Sequence, residues 1–134
     1  MDKIPALRKS GRELPLILIV DDEVAIAETL AELISELGYT SLVAYNGQQA
    51  LKLAREHWPA LVITDLMMPL LDGAHLVAEL RADAASRNLP VPPMIMLTAV
   101  GARAANGVRV DAILSKPFDL DKLEQVIHRL LAKH

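Results

Sequence analysis

The chain contains no cysteine, which excludes disulfides and thiolate-held zinc as sources of stability. Aromatic residues are almost as scarce, with one Trp, two Tyr and one Phe among 134 residues. Any core is therefore aliphatic, and a hydrophobic fraction of 52% supplies one. A single domain of this size buries roughly two-thirds of its unfolded surface. Positive charge is also short: 14 Lys and Arg stand against 17 Asp and Glu, a net charge of -3. That is the wrong sign for gripping phosphate backbones, so no nucleic-acid partner is expected. Long apolar runs are missing as well. The run Leu14–Val20 is about a third of the ~20 residues that a spanning helix needs. It ends in Asp21-Asp22-Glu23 with no small-residue cleavage site, which points away from membrane or export and toward the cytoplasm. Neither G-x-G-x-x-G after the first apolar run nor G-x-x-x-x-G-K-[ST] occurs, so nucleotide-binding classes fall away.

What is present alternates regularly. Residues 1–14 are mixed and polar, with Lys3, Arg8, Lys9 and Arg12, and read as a solvated tail; the domain occupies 15–134. From Leu16 an unbroken Leu-Ile-Leu-Ile-Val run has the look of a strand buried on both faces. Ile26, Leu30, Leu33, Ile34 and Leu37 then recur at helical spacing, and Gly38 supplies the stop. The unit repeats in kind: Ser41–Ala44 as strand, Gln48–Glu56 as helix, Leu61–Thr64 as strand. Asp72 is placed to cap a helix carrying Leu76, Val77 and Leu80. Met94–Leu97 and Ala112–Leu114 are further strands, and Asp119 caps a last helix with Leu120, Leu123, Val126, Ile127, Leu130 and Leu131 inward. Strands alternating with helices over this length imply one doubly wound parallel sheet covered on both faces.

In such sheets ligands bind beyond the carboxyl ends of the strands, and the residues there have chemistry in common. The first strand runs into Asp21-Asp22, the third into Asp65, the fourth into Thr98 and the fifth into Ser115-Lys116-Pro117. Singly, each has a bland reading as a cap, a strand end or a solvated charge. Together they bring three carboxylates, a hydroxyl and an ammonium to one edge. Crowded carboxylates stay ionised together around a hard divalent cation, and oxygen-only ligands favour Mg²⁺ or Mn²⁺. A carboxylate left free to attack forms an acyl phosphate. Phosphoryl transfer asks for little more than in-line positioning and positive charge on the equatorial oxygens, which Lys116 and the Thr98 hydroxyl can supply.

Four ordered motifs now resemble a known family. Ile19-Val20-Asp21-Asp22-Glu23, Thr64-Asp65-Leu66-Met67-Met68-Pro69 followed by Asp72-Gly73, Leu97-Thr98-Ala99, and Ser115-Lys116-Pro117-Phe118 are similar to the motifs of response regulator receiver domains, including the single-domain chemotaxis type. The resemblance implies a three-layer (βα)5 fold, an α/β architecture with a five-stranded parallel sheet in flavodoxin-like order 2-1-3-4-5. It implies Asp65 as phosphoacceptor, charged by a histidine kinase or histidine phosphotransfer protein. Asp22 is implied as a direct metal ligand, Asp21 as one acting mainly through water, and the Met67 carbonyl as the third protein ligand beside Asp65. Thr98 matches the switch hydroxyl and Lys116 the ammonium that pairs with the phosphoryl group. A cis Lys116–Pro117 bond and a turn role for Gly73 follow. The output would be an altered face presented to an effector protein, or a homodimer through the fourth helix, fifth strand and fifth helix. The domain consumes nearly the whole chain, so an effector within it is not expected.

The sequence departs from the pattern in places. Receivers commonly carry Tyr or Phe three residues before the Lys; Ile113 stands here. The stretch from Thr98 to Lys116 is about one helical turn shorter than in the family and holds Gly101 and Gly107. Each glycine inside a helix costs about 1 kcal/mol relative to Ala, so a short, displaced or partly unwound fourth helix is expected. Leu89-Pro90-Val91-Pro92-Pro93 makes a stiff approach to the fourth strand. Met67 and Val100 flank the route of attacking water and are apolar, which implies slow self-dephosphorylation. His57, His75, His128 and His134 lack metal spacing and read as surface residues, and Trp58-Pro59 as packing. Two rival functions are a Mg²⁺-dependent aspartyl-phosphate phosphohydrolase and a degenerate receiver that only scaffolds partners. The first lacks an inserted cap and a water-activating acid near Asp65; the intact Asp21, Asp22, Asp65, Thr98 and Lys116 set weighs against the second.

Overall fold

The computed structural model describes residues 14–105 and 107–133; the tail expected over 1–14 lies outside them except for Leu14. Five strands, β1 (Leu16–Val20), β2 (Thr40–Ala44), β3 (Leu61–Asp65), β4 (Met94–Thr98) and β5 (Ala112–Ser115), alternate with α1 (Val24–Glu36), α2 (Gly47–Glu56), α3 (Gly73–Arg87) and α4 (Leu120–Lys133). All neighbouring pairs are parallel and the order is β2-β1-β3-β4-β5, the doubly wound arrangement expected. Every residue of β3 and β4 is buried, as central strands covered on both faces must be. Successive residues of each strand point to opposite faces, so two cores form. Ile17, Ile19, Ile63 and Leu97 pack beneath α1 and α4, while Leu18, Val20, Val62 and Met96 pack beneath α2 and α3.

Local chemistry sets the helix ends. Asp72 accepts the His75 amide at 2.9 Å and starts α3, and Asp119 accepts the Asp121 amide at 2.9 Å ahead of α4. Asn46 caps α2 by accepting from the Gln49 amide at 2.7 Å, while the Gln49 side chain accepts from the Tyr45 amide at 2.8 Å, a reciprocal closure. Trp58 donates to the Pro90 carbonyl at 2.9 Å with Arg87 over its ring, which fixes the stiff approach to β4 as a packing element. At this amino-terminal end of the strands Pro15, Pro59, Pro90, Pro92, Pro93 and Leu131 line an apolar hollow of about 400 Å³.

One element departs from the (βα)5 pattern. Where a fourth α-helix was expected, the structure has a single 3-10 turn, Ala102–Ala105. Gly101 and Gly107 bracket it with φ of +93° and +88°, left-handed values that an α-helix cannot include. The dimer face expected through a fourth helix, β5 and the last helix accordingly lacks its first helical member.

Candidate functional site

β1 ends on Val20, so Asp21 and Asp22 fall just past the sheet edge, and Asp65 and Thr98 are the last residues of β3 and β4. Register completes the placement: Asp65 stands opposite Leu97 and Thr98 opposite Ser115. Carboxylate oxygens of Asp21, Asp22 and Asp65 lie within 4.8 Å of one another, with Asp21 and Asp65 buried and Asp22 exposed. The Lys116 ammonium reaches in from just beyond β5. It donates to Asp21 Oδ2 at 3.0 Å, lies 3.4 Å from Asp65 Oδ2, and donates to Glu23 Oε1 at 3.2 Å. Glu23 closes the first sequence motif but was given no role there. The Asp21 Oδ1 accepts the Glu23 amide at 2.9 Å, so Asp21 also shapes the turn into α1. Thr98 is fully buried and its hydroxyl oxygen accepts the Val100 amide at 3.1 Å.

The electrostatics follow from this crowding. Burial, then the charge of Asp21, pushes the Asp65 carboxyl above its ordinary pKa, with Lys116 pulling the other way. Burial pulls the Lys116 ammonium down, but the hydrogen bond to Asp21, the charges of Asp21 and Asp65 and the contact with Glu23 outweigh it, and its pKa is raised. One ammonium thus serves three carboxylates. The donor set is hard oxygen throughout, and the Asp21–Asp22–Asp65 cluster carries more negative charge than Lys116 compensates, so the residues fit a divalent cation of the Mg²⁺ or Mn²⁺ kind.

Two further features shape the rim. Gly73 has no room for a side chain: a Cβ there would collide with the Asp65 carbonyl and sit 3.0 Å from Leu66 Cα, while its amide donates to the Leu66 carbonyl at 2.8 Å. The start of α3 is thereby pressed against the acid. Leu70, between them, is held at φ +70° and is 89% exposed. The side chains of Met67 and Val100 are also exposed. Ile113 lies half-buried, packed with Val108 and Val110 against the core under α3, and the Lys116–Pro117 bond is cis. Of the histidines, His57, His75 and His128 are exposed and none joins a ligand cluster among the described residues; His134 lies outside them.

A parallel 2-1-3-4-5 sheet with three acids and a lysine at its carboxyl edge is a doubly wound α/β fold with an acidic pocket where such sheets bind ligands. The model of the response regulator receiver domain matches residues 17–128, and the chain belongs to that family, part of two-component signalling. It is 39% identical over 125 residues to the response regulator Rre1 of Synechocystis sp., covering 87% of this chain and 52% of that protein. It is 34% identical over 118 residues to the response regulator MprA of Mycobacterium ulcerans, covering 87% and 50%. The chain spans about half the length of these curated relatives. Among solved structures, the Francisella response regulator 1452 receiver domain superposes with a TM-score of 0.77 at 30% identity, covering 89% of this chain and 98% of that one. The chemotaxis protein CheY4 of Vibrio cholerae superposes with a TM-score of 0.75 at 25% identity, covering 87% and 98%. No helix among the described residues is long and apolar enough to cross a membrane.

Proposed function

We propose that the chain is a phosphorylation-dependent switch in a cytoplasmic phosphorelay, with Asp65 as the acceptor. The observation that carries the reading is the convergence of three carboxylates within 4.8 Å on a lysine 3.4 Å from Asp65. Asp21, Asp22, Asp65 and the Met67 carbonyl would hold Mg²⁺, which supplies positive charge for the carboxylates and for phosphoryl oxygens. An Asp65 oxygen forms the new bond to phosphorus as the P–N bond of a phosphohistidine donor breaks, its electron pair returning to the imidazole. The donor is a histidine kinase or histidine phosphotransfer protein. Lys116, freed from part of its contact with Asp65, pairs with a phosphoryl oxygen, and the Thr98 hydroxyl donates to another by leaving the Val100 amide. The chain thereby catalyses its own modification rather than turning over a substrate. Nearly two added negative charges bias the loop after Thr98 between two arrangements, and a separate effector reads the result.

Incubation with Mg²⁺ and acetyl phosphate tests this by intact mass. Wild type is expected to gain one labile phosphoryl group and Asp65→Asn none. Absence of the adduct in wild type would sink the switch in favour of a scaffold, and repeated turnover of an aryl phosphate would favour a phosphohydrolase.

A further inference from the structure

The connection that stands in for the fourth helix leaves a groove against α3. On one wall Ala74, Val77, Ala78 and Arg81 follow one another at helical spacing; on the other lie Gly107, Val108 and Arg109, and about 390 Å³ is enclosed between them. Small side chains on α3 keep the floor open. The walls are tied by Arg81, whose Nε and Nη2 donate to the Arg109 carbonyl at 3.1 and 2.8 Å.

That tie engages a neutral acceptor and leaves the charges unmatched. Among the described residues neither Arg81 nor Arg109 forms an ion pair, whereas Arg55 pairs with Glu79 and Asp83 and Lys116 with the acids of the pocket. The chain carries a net charge of -3, so two uncompensated guanidinium groups beside an apolar floor form a local inversion of sign. Guanidinium forks match carboxylates in geometry as well as charge. Small aliphatic side chains fit the floor between them.

We propose that this groove docks an acidic segment of a separate partner protein, with aliphatic side chains between its carboxylates, and that docking responds to the state of Asp65. The second part rests on the receiver reading. Both walls begin in the acid pocket: α3 starts at Gly73, pressed against the Asp65 carbonyl, and the connection starts at Thr98, whose hydroxyl holds the Val100 amide. A rearrangement of the Thr98–Val100 turn is transmitted along the connection toward Arg109 and changes the spacing of the walls.

The probes are the peptide acetyl-Asp-Leu-Ala-Leu-Glu-amide and its counterpart with Lys at both charged positions, titrated into the full chain while backbone amide shifts are followed. The acidic peptide is expected to shift Val77, Ala78 and Val108 and to bind about tenfold more tightly than the basic one. Arg109→Glu, which keeps the backbone acceptor for Arg81 but leaves the groove without net charge, is expected to abolish that preference. Ala78→Phe, at an exposed position, is expected to fill the groove and remove binding while unfolding stays cooperative. Equal affinity for the two peptides, shifts confined to other surfaces, an unaltered preference in Arg109→Glu, or a dimer of this chain covering the groove would overturn the docking site. Treatment with Mg²⁺ and acetyl phosphate is expected to change the acidic peptide's affinity about fivefold or more in wild type and not in Asp65→Asn. Intact mass on the same samples separates the two readings. A phosphoryl group gained with no change in affinity overturns the coupling, whereas no phosphoryl group gained overturns the receiver reading and leaves the peptide preference to stand on its own.

Discussion

Asp65 is held in a position that costs stability and serves chemistry. Its carboxyl titrates above the ordinary value of 3.8 because burial and Asp21 disfavour the charge. A folded-state pKa above the unfolded one means that the native state holds the proton more tightly, so stability falls as pH rises from about 3.8 through the raised value, and the cost is fully present above it. Without Mg²⁺, Asp65→Asn is therefore expected to raise Tm at neutral pH by about 4 °C, the size of ~1 kcal/mol in a domain of this length. The gain should vanish as pH falls toward 3.8; calorimetry across that range checks it. Met67 and Val100 make a second residue-scale prediction. Both side chains are exposed beside the pocket and apolar, so neither orients a water, and a long-lived aspartyl phosphate is expected. Met67→Asn and Val100→Glu should each shorten the lifetime by about tenfold, within the range for a positioned polar group acting on a proton transfer; unchanged or longer lifetimes in both would refute the idea.

Elements differ in how plainly their causes are written in the chain. β1, β3 and β4 were legible because fully buried strands read as unbroken aliphatic runs, and α3 and α4 because Asp72 and Asp119 announce their starts. The Asn46 cap of α2 was less visible, since its partner Gln49 is unremarkable as a sequence signal. The 3-10 turn between β4 and β5 was half legible: Gly101 and Gly107 argued against a full helix, but glycine spacing alone does not say what replaces it. The acid cluster was readable because strand ends converge by topology, while the Glu23 contact of Lys116 depends on side-chain reach and had no periodic signature. Leu70 belongs to this scale as well. A non-glycine residue at φ +70° carries about 1–2 kcal/mol of strain, and an 89% exposed side chain offsets none of it by packing. Leu70→Gly is expected to range from neutral to stabilising by about 1 kcal/mol once the added freedom of the unfolded chain is counted. Urea denaturation measures this, and a loss above 1 kcal/mol would show that Leu70 packs in solution.

At the scale of the molecule the two cores meet along a sheet whose two ends do different work. The carboxyl edge holds excess negative charge around one ammonium, so a divalent cation that binds only the folded state should stabilise the whole domain. Saturating Mg²⁺, at about 100 times its Kd, is expected to add about 2.7 kcal/mol. Asp22→Ala should remove most of that shift with little effect on the metal-free Tm, because Asp22 is exposed; an unchanged Mg²⁺ shift in that variant would place the ion elsewhere.

The other end of the sheet carries Pro15 and Leu131 in one hollow, so the polypeptide enters and leaves the fold at the same pole. A neighbour attached at either side is tethered at that pole, opposite the acids, and need not obstruct the approach of a phosphodonor. The same proximity makes the domain a natural cassette: it can be inserted into a host loop, or its ends joined and the ring reopened elsewhere, with little lengthening of the path between them.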